Sequence, residues 1–213
     1  MKKRLNLIFD LLPVCESFAD IGCDHGLITK EMLVKNKCKT AVVSDISEKC
    51  LQKAKELLSD YIEEGIVRAF VSDGFKNLPL VELALIAGMG GEEIILILEE
   101  ADFLPKKLVL QPMKNPDKLR RKLISLGYKF IRDFTFKTDD KFYDIMLVEK
   151  GIDSLSEEEI LFGRDNLKEK GEAFLERLNI TLRNNEEYLK RDLSSEVRKR
   201  ITLETERIKK CLN

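Results

Sequence analysis

The residues best suited to chemistry lie in one run, Asp20-Ile21-Gly22-Cys23-Asp24-His25-Gly26, between an apolar stretch and a helical one. A glycine turn there lets backbone approach a ligand closely, at the switch point of a parallel sheet. The dinucleotide pattern G-x-G-x-x-G is absent, because Asp24 takes the place of its second glycine. A carboxylate at that place opposes a pyrophosphate. It suits a cationic ligand, or one carrying an amino acid. S-adenosylmethionine, with a sulfonium, an ammonium and no phosphate, has that chemistry. Taken alone, the motif also reads as an ordinary strand-to-helix turn. Two further acids favour the ligand: Asp45 closes the second apolar run and Asp73-Gly74 the third. A lone Asp at a strand end is usually a turn or cap residue. Three in register beside a glycine turn predict a nucleoside site, with Asp45 accepting from ribose hydroxyls and Asp73 from an adenine amino group.

The fourth apolar run leads through Leu85-Ile86-Ala87-Gly88-Met89-Gly90-Gly91 into Glu92-Glu93. It has no Asn/Asp-Pro-Pro-aromatic segment of the kind that holds an exocyclic amine. Its bare glycines suit a flat base or the methionine part of a cofactor, or serve only tight turn packing. Gln111-Pro112-Met113-Lys114-Asn115-Pro116 follows the fifth run, and Lys114, Lys118, Arg120, Arg121 and Lys122 face only Asp117 there. Residues 183–210 hold nine basic and six acidic side chains. Such a run is usually a solvated helix face, yet affinity for phosphate follows local rather than net charge.

Elements must position these residues. Ser17–Gly22, Thr40–Asp45, Val67–Asp73, Leu83–Met89 and Lys107–Pro112 read as buried strands, and helical stretches fall near Leu27–Asn36, Ser47–Glu64, Glu92–Ala101 and Pro116–Leu126. Ser47 suits an N-cap, and Pro116 suits a first turn capped by Asn115. The alternation predicts an α/β fold with a mostly parallel sheet covered on both faces. Tyr128–Thr135 and Phe142–Glu149, separated by Lys137-Thr138-Asp139-Asp140, predict a closing antiparallel hairpin. From Gly151 onward no β-rich run remains, and Ser154-x-x-Glu157 and Ser156-x-x-Glu159 both read as capping boxes. Stripes at Phe174, Leu178, Leu182 and Leu189, and at Leu193, Val197, Ile201 and Ile208, predict an antiparallel helical hairpin turning near Arg191–Ser194. The expected division is 1–152 and 153–213.

Composition excludes several classes. The chain has 213 residues, 44% hydrophobic and 35% charged, with net charge −1, which describes a globular protein without a global basic field. Five cysteines without a C-x-x-C pair argue against a zinc ribbon or disulfide framework, and one histidine excludes a two-histidine metal site. No signal peptide or membrane span is expected, no metal is required, and a cytoplasmic location follows from the cysteine usage.

Arg4-Leu5, the Asp-Ile-Gly-x-Asp-His turn at 20–25, Ile86-Ala87-Gly88-Met89-Gly90-Gly91, Leu110-Gln111-Pro112 and Leu119-Arg120 together resemble the bacterial tRNA (adenine-22-N1)-methyltransferase family. So do Gly127-Tyr128, Lys141-Phe142-Tyr143-Asp144-Ile145 and Leu161-Phe162-Gly163. The resemblance spans nearly the whole chain. Cys23 departs from it where a serine is expected, and Met113 where an asparagine is expected. It implies a Rossmann-like class I methyltransferase fold with the helical hairpin appended, S-adenosylmethionine as cofactor, and methyl transfer to N1 of adenine 22 in tRNA. The implied cofactor residues are Asp20, Gly22, Cys23, Asp24, Gly26, Asp45, Ile46, Ser72, Asp73, Gly74, Gly88 and Met89. Asp24 and His25 are the candidate catalytic residues, Asp24 to stabilise the cationic product and His25 either to orient the base or cofactor or only to cap the helix that follows. Arg4, Gly90, Gln111, Lys114, Asn115, Lys118, Arg120 and Arg121 are expected to meet the substrate. A small-molecule or protein methyltransferase of the same fold, or a non-catalytic tRNA-binding module, is the alternative. A nicotinamide oxidoreductase lacks its glycine pattern.

Overall fold

Strand side chains alternate between faces, so each buried strand here must satisfy two cores. In the computed structural model, which describes residues 3–212, they do. Phe18, Val43, Leu83, Leu85 and Val109 meet the helices of one face, while Ala19, Ile21, Val42, Ala84, Ile86, Leu108 and Leu110 meet those of the other. The strands are β1 (Ser17–Ile21), β2 (Thr40–Asp45), β3 (Val67–Val71), β4 (Leu83–Met89), β5 (Lys107–Pro112), β6 (Tyr128–Thr138) and β7 (Lys141–Lys150). They form one sheet in the order β3-β2-β1-β4-β5-β7-β6. All pairs are parallel except those made by β7, which runs antiparallel to both β5 and β6. The order reverses between β1 and β4, so the crevice beyond their C-terminal ends is where a ligand belongs.

The first face carries α1 (Lys3–Leu11), α2 (Leu27–Val34) and α3 (Glu48–Leu57), through Ile8, Met32, Leu51 and Ala54. The opposite face carries α5 (Gly91–Glu99) and α6 (Pro116–Ser125), through Ile94, Leu98, Leu119 and Leu123. The helix expected over Ser47–Glu64 is two: α3 ends at Leu57, and α4 spans Ser59–Glu63. Leu58 leaves helical geometry (φ −110°, ψ 14°) with its side chain fully buried, yet its N–H still bonds Ala54 O. Helical periodicity in the sequence therefore continues across the break. Ser47 caps α3 by accepting from Cys50 N. Asn115 does not cap α6 with its side chain; its backbone is left-handed at φ 53°. The helix over Lys3–Leu11 is an addition to the sequence reading. The β6–β7 turn is shorter than expected: Asp139 and Asp140 alone make it, at φ 49° and 57°, as a two-residue hairpin turn requires.

Beyond β7 come α7 (Glu157–Phe162), α8 (Arg164–Glu169), α9 (Glu172–Leu189) and α10 (Ser195–Leu212). Ser156 and Glu159 form the capping box of α7; Ser154 and Glu157 form none. Phe162, Phe174, Leu178 and Ile208 make a separate small core. A buried polar junction joins these helices to the sheet. Arg120, fully buried on α6, donates to Asp133 through Nε (2.9 Å) and Nη2 (2.9 Å) and to Ile160 O (3.1 Å). Asp144 accepts from Arg177 (2.8 Å) and Thr135 (3.0 Å), and Asn166 ties Thr135 to Phe162 O. Burial works against ionisation of Asp144, but the Arg177 and Arg120 guanidiniums outweigh it and hold the carboxyl below the usual range.

Candidate active site

The turn after β1 is strapped to the end of β2: Gly22 N and Cys23 N both donate to Ser44 O, at 2.8 and 3.0 Å. Gly22 adopts φ 70°, which favours glycine, and a Cβ there would also oblige the flexible end of the Met89 side chain to move. Asp24 is also left-handed at φ 48°, a conformation aspartate tolerates better than most residues. Its backbone N–H points to Asp45 Oδ2 at 3.4 Å, and Asp45 Oδ1 accepts from Ser47 N at 2.8 Å. Asp24 Oδ1 and His25 Nε2 lie 3.5 Å apart, both exposed.

Two adjoining cavities open at this edge. The larger, about 480 Å³, is lined by Asp45, Ile46, Ser72, Asp73, Gly74, Gly88 and Met89, with Glu93, Leu96, Ile97 and Glu100 contributed by α5 and the residue after it. The smaller, about 360 Å³, is lined by Leu5, Asp20, Cys23, His25, Leu27, Ile28 and Leu85. Arg4, Gly22, Asp24 and Ala87 line both. The cleft thus brings together all the expected cofactor residues except Gly26. Gly26 faces the other way, where a Cβ would press on Leu58 and Ala54 at 3.0 and 3.1 Å, so it serves the packing of α2 against α3.

Its charge inventory is one-sided. Asp20, Asp24, Asp45, Asp73, Glu93 and Glu100 line it and Arg4 is the single guanidinium in the lining, while Lys76, just outside it, pairs with Asp73 (3.3 Å) and Glu100 (2.5 Å). Such a lining rejects a pyrophosphate and suits a ligand with more positive than negative centres. Burial pushes the Asp20 carboxyl up to about 6, opposed by the Thr29 hydroxyl, which donates to it at 2.9 Å. Burial, reinforced by the Asp20 carboxylate, pushes the Cys23 thiol far up as well. Cys23 is therefore a neutral lining group and no nucleophile. Among the described residues, no group of three or more His, Cys, Asp or Glu could hold a metal.

The expected substrate residues are dispersed. Arg4 and Gln111 meet, Nη1 donating to Oε1 at 2.8 Å. Gly90 is the N-cap of α5, and Lys114 and Asn115 lead into α6; Gly91 N donates to Lys114 O, holding these loops together. Arg120 must be corrected: it is fully buried in the polar junction and cannot touch a substrate. Lys118 and Arg121 are engaged by Glu92 and Glu157, and Lys122 by Glu99, so the α6 patch is largely neutralised. Sequence reading overlooked Glu93, Leu96, Ile97 and Glu100. Their spacing, one face of α5, was the available signal.

Comparison with known proteins agrees with this geometry. The family model described as Methyltransferase domain matches residues 1–146. A Mycoplasma pneumoniae protein, provisionally named as a tRNA methyltransferase, is 34% identical over 172 residues, covering 76% of this chain and 79% of its own. The Bacillus subtilis tRNA (adenine(22)-N(1))-methyltransferase is 28% identical over 71% of this chain and 66% of its own. A Streptococcus pneumoniae crystal structure, provisionally named as a tRNA (m1A22) methyltransferase, matches with TM-score 0.93 at 26% identity, both chains being covered in full. Its complex with S-adenosyl-L-methionine matches with TM-score 0.89. The chain belongs to the methyltransferase-domain family and, within it, to the bacterial tRNA methyltransferases.

Proposed function

We propose that this protein transfers a methyl group from S-adenosylmethionine to N1 of adenine 22 in tRNA. The observation that carries the reading is the acid-lined cleft at the β1/β4 switch point, with Asp45 ending β2 and Asp24 and Asp73 in the turns just after β1 and β3. Relatives named for that reaction supply the nucleotide position. Bound S-adenosylmethionine supplies the electrophile, a methyl on a positive sulfur that departs as a neutral thioether. Asp45, which lines the larger cavity, would accept from ribose hydroxyls, while Ser72, Asp73 and Gly74 would frame the adenine end.

Adenine N1 presents a neutral lone pair, so the chain needs no base to deprotonate it. Its residues contribute by holding the two reactants in line and by excluding water, for which effective molarity is the main source of rate. The methylated base is cationic. Asp24, which lines both cavities, is placed to stabilise that charge, with His25 beside it. N1 is hidden in a paired or stacked base, so the target must be extruded at a cost of a few kcal/mol.

The helical hairpin is the better candidate to grip the RNA meanwhile. Of the nine basic side chains over 183–210, only Lys190 and Lys209 are ion paired among the described residues. The proposed division of labour is catalysis within 1–152 and RNA contact by 153–213, joined through the buried junction.

The test is methyl transfer from labelled S-adenosylmethionine to unmodified tRNA, followed by nucleoside analysis. The expected product is 1-methyladenosine, lost when adenine 22 is replaced. Methylation elsewhere, or none with cofactor bound, overturns the assignment.

A further inference from the structure

Helix α5 and the residue after it carry four carboxylates, and three of them are matched by lysines. Glu92 pairs with Lys118, Glu99 with Lys122 and Glu100 with Lys76. Glu93 has no cation among the described residues, although it lines the larger cavity. Its one polar contact among them is local: Oε2 accepts from Gly90 N at 3.3 Å, which closes the first turn of the helix. That bond folds the carboxylate back toward Gly90 and leaves the other oxygen, Oε1, free to accept. The reaction above gives Glu93 no task.

Neither conformation nor packing demands a glycine at position 90. Its backbone, at φ −66° and ψ 147°, is one that any residue adopts, and a Cβ there would meet no atom within 4 Å. Neighbouring Gly91 differs, since its Cβ would stand 2.5 Å from Asn115 O and 2.6 Å from Lys114 O. Position 90 therefore offers flat, open backbone beside a free carboxylate oxygen. Helix α5 fixes where along the cleft this pair lies. Glu93 and Glu100 both line the larger cavity, about 10 Å apart along a helix axis. Glu100 is tied through Lys76 to Asp73, at the end expected to hold the cofactor's nucleobase. Glu93 stands at the other end, beside the close of β4, where the methyl acceptor has to enter.

We propose that Glu93 reads the 6-amino group of the target adenine, its free oxygen accepting from that group while the ring lies against Gly90. This rests on the adenine-methylation reading above. Adenine presents an amino donor next to the N1 lone pair. Guanine presents a carbonyl acceptor next to an N1–H, so a carboxylate welcomes the first base and repels the second. In the transfer, N1 forms a bond to the methyl carbon as the carbon–sulfur bond breaks, and the electron pair leaves with sulfur. Positive charge then spreads over the ring and its amino group. The hydrogen bond to Glu93 becomes charge-assisted on both sides and strengthens toward the transition state. Glu93 takes up no proton in this step.

The test compares kcat/KM for methyl transfer to tRNA with adenine at position 22 and to the same tRNA with unsubstituted purine there, which lacks only the amino group. Purine N1 is the weaker nucleophile for every variant alike, so the quantity read is the change in the adenine-to-purine ratio. Glu93→Ala is expected to lower that ratio about ten- to a hundredfold, the worth of a charge-assisted hydrogen bond, by slowing the adenine substrate alone. Glu93→Gln keeps the helix cap, because its one carbonyl oxygen still accepts from Gly90 N, and turns an NH2 donor toward the base. It should lower the ratio at least as far. An unchanged ratio in Glu93→Gln, however slow the enzyme, would overturn the assignment and leave Glu93 a helix cap. Weakened S-adenosylhomocysteine affinity with the ratio unchanged would overturn it in favour of a cofactor contact. A wild-type protein that binds S-adenosylhomocysteine but forms no 1-methyladenosine on the adenine-22 tRNA would sink the reading beneath it, and the role of Glu93 with it.

Discussion

At the scale of single residues, the site works by uneven placement of acids. Asp20 is buried and held by Thr29, whereas Asp24 stands exposed a few residues on. The raised carboxyl of Asp20, about 6 against an ordinary 3.8, has a definite sign. The native state takes up a proton more readily than the unfolded chain. The resulting stability is fully present below about pH 4 and is lost as pH rises through 6, amounting to about 3 kcal/mol. Asp20→Asn should therefore gain thermal stability over wild type as pH rises from 4.5 to 7.5, measured by thermal unfolding at each pH. Parallel curves for the two proteins would contradict this. An ammonium in the smaller cavity favours the ionised carboxylate, so wild-type affinity for S-adenosylhomocysteine should strengthen across the same window. The variant's affinity should stay flat.

At the scale of elements, the Arg120 junction decides whether the appended helices belong to the fold. Arg120 on α6, Asp133 on β6, and Asp144 on β7 with Arg177 on α9 satisfy one another out of water. Arg120→Met leaves Asp133 buried without its guanidinium and should cost about 3–5 kcal/mol in urea unfolding. Adding Asp133→Leu should restore part of that loss; a double variant no more stable than the single would refute the pairing argument. This junction also marks where the sequence stopped being legible. The β1–β5 elements and the acids at their ends announced themselves, because buried strands are continuous apolar runs closed by Asp, Gly or Pro. Arg120 stood in a basic run, and a charged residue in such a run reads as surface; the approach of β6, β7 and α7 buries it. The α3–α4 break was hidden for a related reason, since Leu58 keeps helical spacing while tertiary packing turns the chain. Gly26, beside a ligand turn in sequence, lies outside the lining of both cavities, and a Cβ there would press on Ala54 and Leu58 at the end of α3.

At the scale of the whole molecule, net charge −1 means that RNA affinity must come from local geometry. The α6 basics are matched by Glu92, Glu157 and Glu99, while most of those on α9 and α10 are not matched. Arg183→Glu and Lys199→Glu should each weaken tRNA binding and lower the slope of log affinity against log salt by about 1. Lys118→Glu should change that slope less, and all three should bind S-adenosylhomocysteine as wild type does. Fluorescence titration across a salt series distinguishes these outcomes; equal slopes for all proteins would dismiss the hairpin as the RNA grip. The strand order carries a further consequence for a chain made from one end. β7 lies between β5 and β6, so β6 emerges from the ribosome before the strand that must join it to the sheet exists. Until residue 150 is out, the nascent chain holds β5 as an open edge, and until Arg177 is out, Asp144 lacks one of its two guanidiniums. Vectorial synthesis thus completes the cofactor cleft's strands β1 to β5 first and seals the sheet last.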